Sequence, residues 1–200
     1  MEEVWTSRSL VGKRTLSIAL KAAPTALPLF IAGETGVGKE VLARSIHRWS
    51  TVSSGPFVAV NCSALPGSLA ESELFGHLRG AFTGAARSRS GACLEARGGT
   101  LFLDEVADLS MDIQPKLLRF LENGEVRPVG SDRVAMSSAR VLSATHKPLE
   151  TLVERGLFRE DLYYRLTSVI LEIPPLRRRP EDLQDLMEKF ASYGFNKSHA

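Results

Sequence analysis

Two short stretches carry residue types whose spacing suits phosphate chemistry. The first is GETGVGKE, residues 33–40. Glycines there let successive backbone N–H groups converge, and a lysine opening a helix reaches the outer oxygens of a polyphosphate. Gly33, Glu34, Thr35, Gly36, Val37, Gly38, Lys39 and Glu40 are therefore candidate nucleotide-binding residues. The general pattern wants Ser or Thr after the lysine to hold magnesium, and Glu40 stands there instead. A carboxylate lies against a triphosphate only with a metal or water between. The plain alternative is a glycine-rich turn that binds nothing. The second stretch is GGTLFLDE, residues 98–105. Its acidic pair ends an apolar run, at the edge where open α/β sheets receive ligands. Alternation along a strand sends the two side chains to opposite sides, which suits two tasks. Asp104 would hold Mg2+, directly or through water; Glu105 would orient and polarise a water for γ-phosphate cleavage. By itself the pair reads equally as a strand end or a helix cap. Together with the upstream loop it reads as a nucleotide hydrolase site.

Such a site needs a sheet whose strands all point the same way. Five short apolar runs, at 27–33, 57–61, 100–105, 140–145 and 168–173, read as buried strands. Between them, residues 39–49 repeat apolar side chains at Val41, Leu42, Ile46 and Trp49, a helical face. Residues 112–124 do the same through Ile113, Leu117, Leu118 and Leu121, with Asp112 as the expected cap, Pro115 in the first turn and Gly124 closing. The alternation predicts an α/β fold with a parallel sheet covered on both faces. EVRPVGSDRVAM, 125–136, reads as a hairpin turning at GSD, and 181–192 as one more helix.

Composition narrows the class. Two hundred residues with a net charge of +2 predict one globular domain and no bulk basic field for nucleic acid. Cys62 and Cys93 have no partner at metal-ligand spacing and are expected as buried free thiols. There is no bilayer-length apolar run and no signal peptide, so a soluble, cytoplasmic chain without a membrane partner is expected. A guanine-reading NKxD after the acidic strand is missing; NKSH at 196–199 lies at the wrong end.

One glycine-rich stretch does not look like a phosphate loop. GAFTGA, Gly80, Ala81, Phe82, Thr83, Gly84 and Ala85, holds out an aromatic ring between glycines. With ESELFGH, GGTLFLDE, FREDLYYRL and PPLRRR in the same order, the chain resembles the AAA+ core of bacterial sigma-54-dependent activators, from about residue 9 to 183. The resemblance implies a P-loop AAA+ αβα sandwich whose five-stranded parallel sheet runs 5-1-4-3-2, with ATP and Mg2+ as cofactors. It makes Glu after the loop lysine ordinary. It implies that GAFTGA belongs to an insertion, about 76–87, that grips sigma-54 RNA polymerase through Phe82 and Thr83, with Gly80 and Gly84 as pivots. From periodicity alone, Phe82 folded onto the core stays open.

The same resemblance assigns further residues. Arg159 and Arg165, six apart on a predicted helix, would include arginine fingers reaching a neighbouring subunit's nucleotide in a hexamer or heptamer ring. A solvated helix pairing with Glu160 and Asp161 is the bland alternative. Asn61 would hold Glu105 off the water through its amide, or else start a turn. Thr145 and His146 stand at the γ-phosphate sensor, and Val11 and Gly12 line the adenine. Arg177 to Arg179 read as surface or nucleotide-pocket residues. The expected organisation is a flank at 1–8, the core at 9–180 and the start of a helical lid at 181–200. Most of that lid, the regulatory domain and the DNA-binding helices are expected elsewhere, so DNA contact would come only through a domain outside this sequence. Two functions follow: an ATPase that remodels sigma-54 polymerase at promoters, or a truncated, catalytically weak sigma-54-binding fragment.

Overall fold

The computed structural model describes residues 4–65, 67–183 and 187. In chain order these residues form α1 (Leu10–Ala22), β1 (Leu29–Ala32), α2 (Lys39–Arg48), β2 (Phe57–Asn61), α3 (Gly67–Phe75), α4 (Ala92–Glu95) and β3 (Thr100–Asp104). There follow α5 (Gln114–Asn123), β4 (Glu125–Val126), β5 (Ala135–Met136), β6 (Arg140–Thr145), α6 (Leu149–Glu154), α7 (Glu160–Leu166) and β7 (Ile170–Glu172). The main sheet is parallel throughout, in the order β2-β3-β6-β1-β7. The antiparallel pair β4-β5 is a separate hairpin, as expected for 125–136. Counting the five core strands alone, the order from the other edge is 5-1-4-3-2.

Alternation along each strand explains why the sheet is covered on both faces. Leu101 and Leu103 of β3 pack with Leu74, Leu117, Phe120 and Leu162 on one side. Phe102 between them packs with Leu29, Ile31, Leu42, Ile46 and Leu142 on the other. Each such buried side chain contributes roughly 1.5–3 kcal/mol against its exposed state. All six residues of β6 are buried, which fixes the register of a central strand whose last residue is Thr145.

Three local expectations are corrected. The edge strands are not buried runs: β2 has no buried residue and β7 buries only Leu171, because each pairs with a neighbour on one side alone. Asp112 does not cap α5. A turn at 110–114 precedes it, with Ser110 O accepting from the Ile113 and Gln114 amides, and Ile113 takes the N-cap place without a side-chain bond. Gly124 does close that helix, with φ 73° and its N–H on Phe120 O. The strand at 100–105 stops at Asp104. The predicted helix over 181–192 and most of the lid at 181–200 lie outside the described residues; 180–182 form a 3-10 turn.

Sequence periodicity gives no sign of α1, and its packing shows why. Its buried face is Gly12, Thr15, Ala19 and Ala22, while Leu10, Ile18 and Leu20 face outward. Small residues let the helix lie close against the sheet edge, where Thr15 Oγ1 donates to Glu172 O at 2.6 Å.

Candidate functional site

Parallel strands bring their carboxyl ends to one edge, and the loops leaving β1, β3 and β6 meet there. The loop after β1 turns at Gly36 and Gly38, with φ of 81° and 95°, a conformation that favours residues without a Cβ. A Cβ on Gly36 would meet nothing within 4 Å, so the loop presents open backbone at that point. Gly38 is the N-cap of α2, and Lys39 is its first residue. Gly33 is closely packed: a Cβ there would lie 2.9 Å from Val37 and 3.1 Å from Ile173 O. Glu34, Thr35 and Gly36 are exposed.

Lys39 is buried, and its Nζ reaches Gly33 O at 3.1 Å, Glu34 O at 3.3 Å and Glu105 Oε1 at 3.3 Å. The other carboxylate oxygen, Oε2, accepts from Thr145 Oγ1 at 2.9 Å, His146 N at 3.3 Å and His146 Nδ1 at 2.8 Å. Lys147 N in turn donates to Thr145 Oγ1 at 3.1 Å. Partial burial pulls the Glu105 carboxyl up, but the bonds from His146 and Thr145 and the charge of Lys39 outweigh it and hold the carboxyl at about 2. Asp104 behaves oppositely: burial, then the neighbouring Glu105 charge, raises its carboxyl above the ordinary range.

Glu105 has left the strand. Its φ is 51° and ψ 47°, a left-handed conformation unusual for a residue with a side chain and costing of the order of 1–2 kcal/mol. Strand alternation, expected to send Asp104 and Glu105 to opposite sides, therefore does not set its direction. The turn does, and its amide donates to Asp104 Oδ1 at 3.0 Å. Asn61 pairs in register with Asp104, yet its Oδ1 accepts from Ser63 N at 3.0 Å and Ser63 Oγ at 2.7 Å. It starts a turn, and Thr145 and His146 hold Glu105 in its place. Glu40 is bound by Arg44 one helical turn on, at 2.7 and 3.0 Å, on the exposed side of α2.

The two arginines are separated. Arg159 is the N-cap of α7 rather than a residue within it, and its guanidinium grips Asp161 at 3.0 and 2.6 Å. Arg165, in the last turn, donates to Leu121 O at 3.1 Å. Val11 is exposed at the start of α1, and Gly12 is buried behind it, donating to Ser9 Oγ at 3.1 Å. Two of the three arginines expected at the surface or in the nucleotide pocket touch the phosphate loop. Arg177 forms a two-point ion pair with Glu34 at 2.8 and 2.6 Å, and Arg179 donates to Val37 O at 3.3 Å. The run of arginines was visible in the sequence, but no spacing rule says which of them turns inward.

GAFTGA lies in the loop between α3 and α4. Its root is stitched by His77 N to Arg89 O and Arg89 N to His77 O, both 2.9 Å, and to the β4-β5 hairpin by Leu78 N to Val129 O at 3.0 Å. Gly80 and Gly84 have φ of 81° and 99°, and Gly80 N donates to Ala85 O at 2.9 Å. Thr83 is exposed and Ala85 buried. Phe82 is half-buried, its ring edge-on to His77 at 5.0 Å, so the aromatic tip rests on the loop's own root.

The lysine, both acids and the Thr145–His146 pair fit a polyphosphate with a divalent cation. Among the described residues no cluster of three or more His, Cys, Asp or Glu could hold a metal. No described helix is long and apolar enough to cross a membrane.

The chain is similar to known proteins over most of its length. The family described as the Sigma-54 interaction domain matches residues 6–172. The transcriptional regulator NtrC of Rhizobium meliloti is 48% identical over 183 residues, covering 92% of this chain and 38% of that protein. The regulatory protein GlrR of Escherichia coli K12 is 50% identical over 181 residues, 90% of this chain and 41% of that one. The crystal structure of NtrX from Brucella abortus in complex with ATP superposes with a TM-score of 0.84 at 38% identity, over 93% of this chain and 42% of that one. The chain thus spans about two fifths of the length of these relatives.

Proposed function

Since the chain belongs to the sigma-54 interaction domain family, with its P-loop AAA+ fold, we propose that it is the ATPase core of a sigma-54-dependent transcription activator. The observation that carries this reading is the convergence of Lys39, Asp104, Glu105, Thr145 and His146 at the carboxyl ends of three adjacent strands. ATP and Mg2+ supply the cleavable phosphoanhydride and the cation that neutralises it. Gly36 to Glu40 provide backbone donors and a helix N-terminus, Lys39 binds outer phosphate oxygens, and Asp104 holds the cation. Val11 and Gly12 border the base.

Both oxygens of Glu105 are engaged, and a carboxyl held near 2 is a weak base. The arrangement is a resting one. Transfer of Lys39 from Glu105 Oε1 to a phosphate frees that oxygen for a water, while Thr145 and His146 keep the carboxylate aimed. Arg159 and Arg165 act across a ring interface: a guanidinium released from Asp161 reaches the neighbouring site and stabilises transition-state charge. Release of Phe82 from His77 presents the ring to sigma-54, a buried aromatic anchor of the kind that dominates interface energy. Function in the cytoplasm follows from the polymerase partner.

A binding module without turnover is the rival reading, and the saturated Glu105 favours it in the resting chain. Phosphate release, measured with and without full-length partner subunits, separates the two. The ATPase reading expects release that rises with partner subunits and is lost in Arg159→Ala, whose ATP affinity stays within about threefold. Full turnover in Arg159→Ala would remove that residue from the chemistry.

A further inference from the structure

The segments that flank the core are tied together by one buried ion pair. Arg179 and Asp182 are each 4% exposed, with Nη1 to Oδ2 at 3.3 Å. Arg179 also donates from Nη2 to Val37 O in the phosphate loop at 3.3 Å. Its guanidinium lies 5.6 Å from the Trp5 ring centre, over the ring face. Trp5 packs against the same loop, since a Cβ on Gly38 would lie 3.5 Å from it, and its amide is held by Ser45 Oγ of α2 at 2.8 Å. Asp182 holds the other end: Oδ1 accepts from Arg8 N at 2.6 Å and Ser9 N at 3.1 Å, and Oδ2 from Ser7 Oγ at 2.6 Å. Ser9 caps α1 through Gly12 N.

We propose that Arg179 and Asp182 are positioning residues for nucleotide binding, a clasp that couples the phosphate loop to the base-side start of α1. This rests on the nucleotide reading above. The pair has one hand on the Val37 carbonyl and the other on the amides that orient Val11 and Gly12, so it sets the distance between the two ends of the bound nucleotide. Removing one partner strands a charge, whereas the intact pair adds little stability beyond an apolar replacement. Its polar wiring to two binding elements gives it a job that packing alone would not require.

The pair also has bonding capacity in reserve. Both 3.3 Å contacts are long for charge-assisted bonds, and Arg179 Nε is buried without a partner. A nucleotide that settles the phosphate loop shortens these contacts. By reciprocity, a clasp that favours the nucleotide is itself tightened by it to the same degree.

The experiment is amide hydrogen exchange on the full chain, with and without Mg·ATP, beside ATP titrations of wild type, Arg179→Lys and a control at the exposed Arg155, Arg155→Ala. Arg179→Lys keeps the charge and loses the second contact, and its urea midpoint reports whether it folds. The expected result is slower exchange at Arg8 and Ser9 with ATP, and an ATP Kd about tenfold weaker in Arg179→Lys but not in Arg155→Ala. ATP protection confined to 36–40, with Arg8 and Ser9 unchanged, overturns the clasp and leaves the nucleotide site standing. So does a wild-type Kd in folded Arg179→Lys. A wild-type chain that binds no ATP overturns both.

Discussion

Acidification removes a contribution that Glu105 makes to stability. Its carboxyl sits at about 2 in the folded chain against 4.5 in an open one, because Thr145, His146 and Lys39 all favour the charged form over the opposing effect of burial. A group depressed by folding adds stability that is fully present above its unfolded value and is lost as pH falls toward the folded one. With these two values, linkage gives a loss of about 0.8 kcal/mol at pH 4 and about 1.4 kcal/mol at pH 3.5, relative to pH 7. Solvent at the open edge of the site screens the charges and brings these to roughly half. Glu105→Gln keeps the shape and cannot titrate. Urea unfolding of both chains from pH 7 to 3.5 should show the wild type losing stability more steeply, the gap between them narrowing by about 0.7–1.4 kcal/mol. Parallel curves through that window would refute the network at Glu105.

Gly91→Ala should loosen the root of the GAFTGA loop: φ is 78° and a Cβ would lie 2.2 Å from Gly76 N, so a loss of about 2 kcal/mol or more is expected in thermal melts. Gly84→Ala, at φ 99° in open space, should cost only about 1 kcal/mol by the same measurement. Burial pushes the Cys62 thiol up to about 12, with help from the charge of Asp104, and lifts Cys93 as well. Neither should react with a thiol reagent near pH 7 until denaturant is added; rapid labelling of the folded chain would contradict their burial.

The sheet was legible because its strands are short apolar runs; 57–61 and 140–145 match their predicted bounds to the residue, although 57–61, at the edge, is only partly buried. Helix α1 was not, since Gly12, Thr15, Ala19 and Ala22 bury a face that hydropathy does not mark. At the site, residue types were readable and directions were not. Glu105 turns on a left-handed φ that no pattern announces, Asn61 prefers its local bond to Ser63, and Arg159 stands before its helix. Phe82 looks bare among glycines until the fold brings His77 beneath it. The ion pair of Arg179 with Asp182 is local, but its contacts to Val37 and Ser9 span most of the chain and leave no mark in the sequence.

The most direct test of the nucleotide site is a Mg·ATP titration followed by backbone amide NMR in wild type and Lys39→Ala. In the wild type the amides of Gly36, Gly38, Lys39 and Glu40 should shift together and saturate, and Lys39→Ala should weaken the affinity about 10- to 100-fold through loss of a charge-assisted contact. An unchanged affinity in Lys39→Ala, or saturation that leaves those four amides where they were, would contradict it.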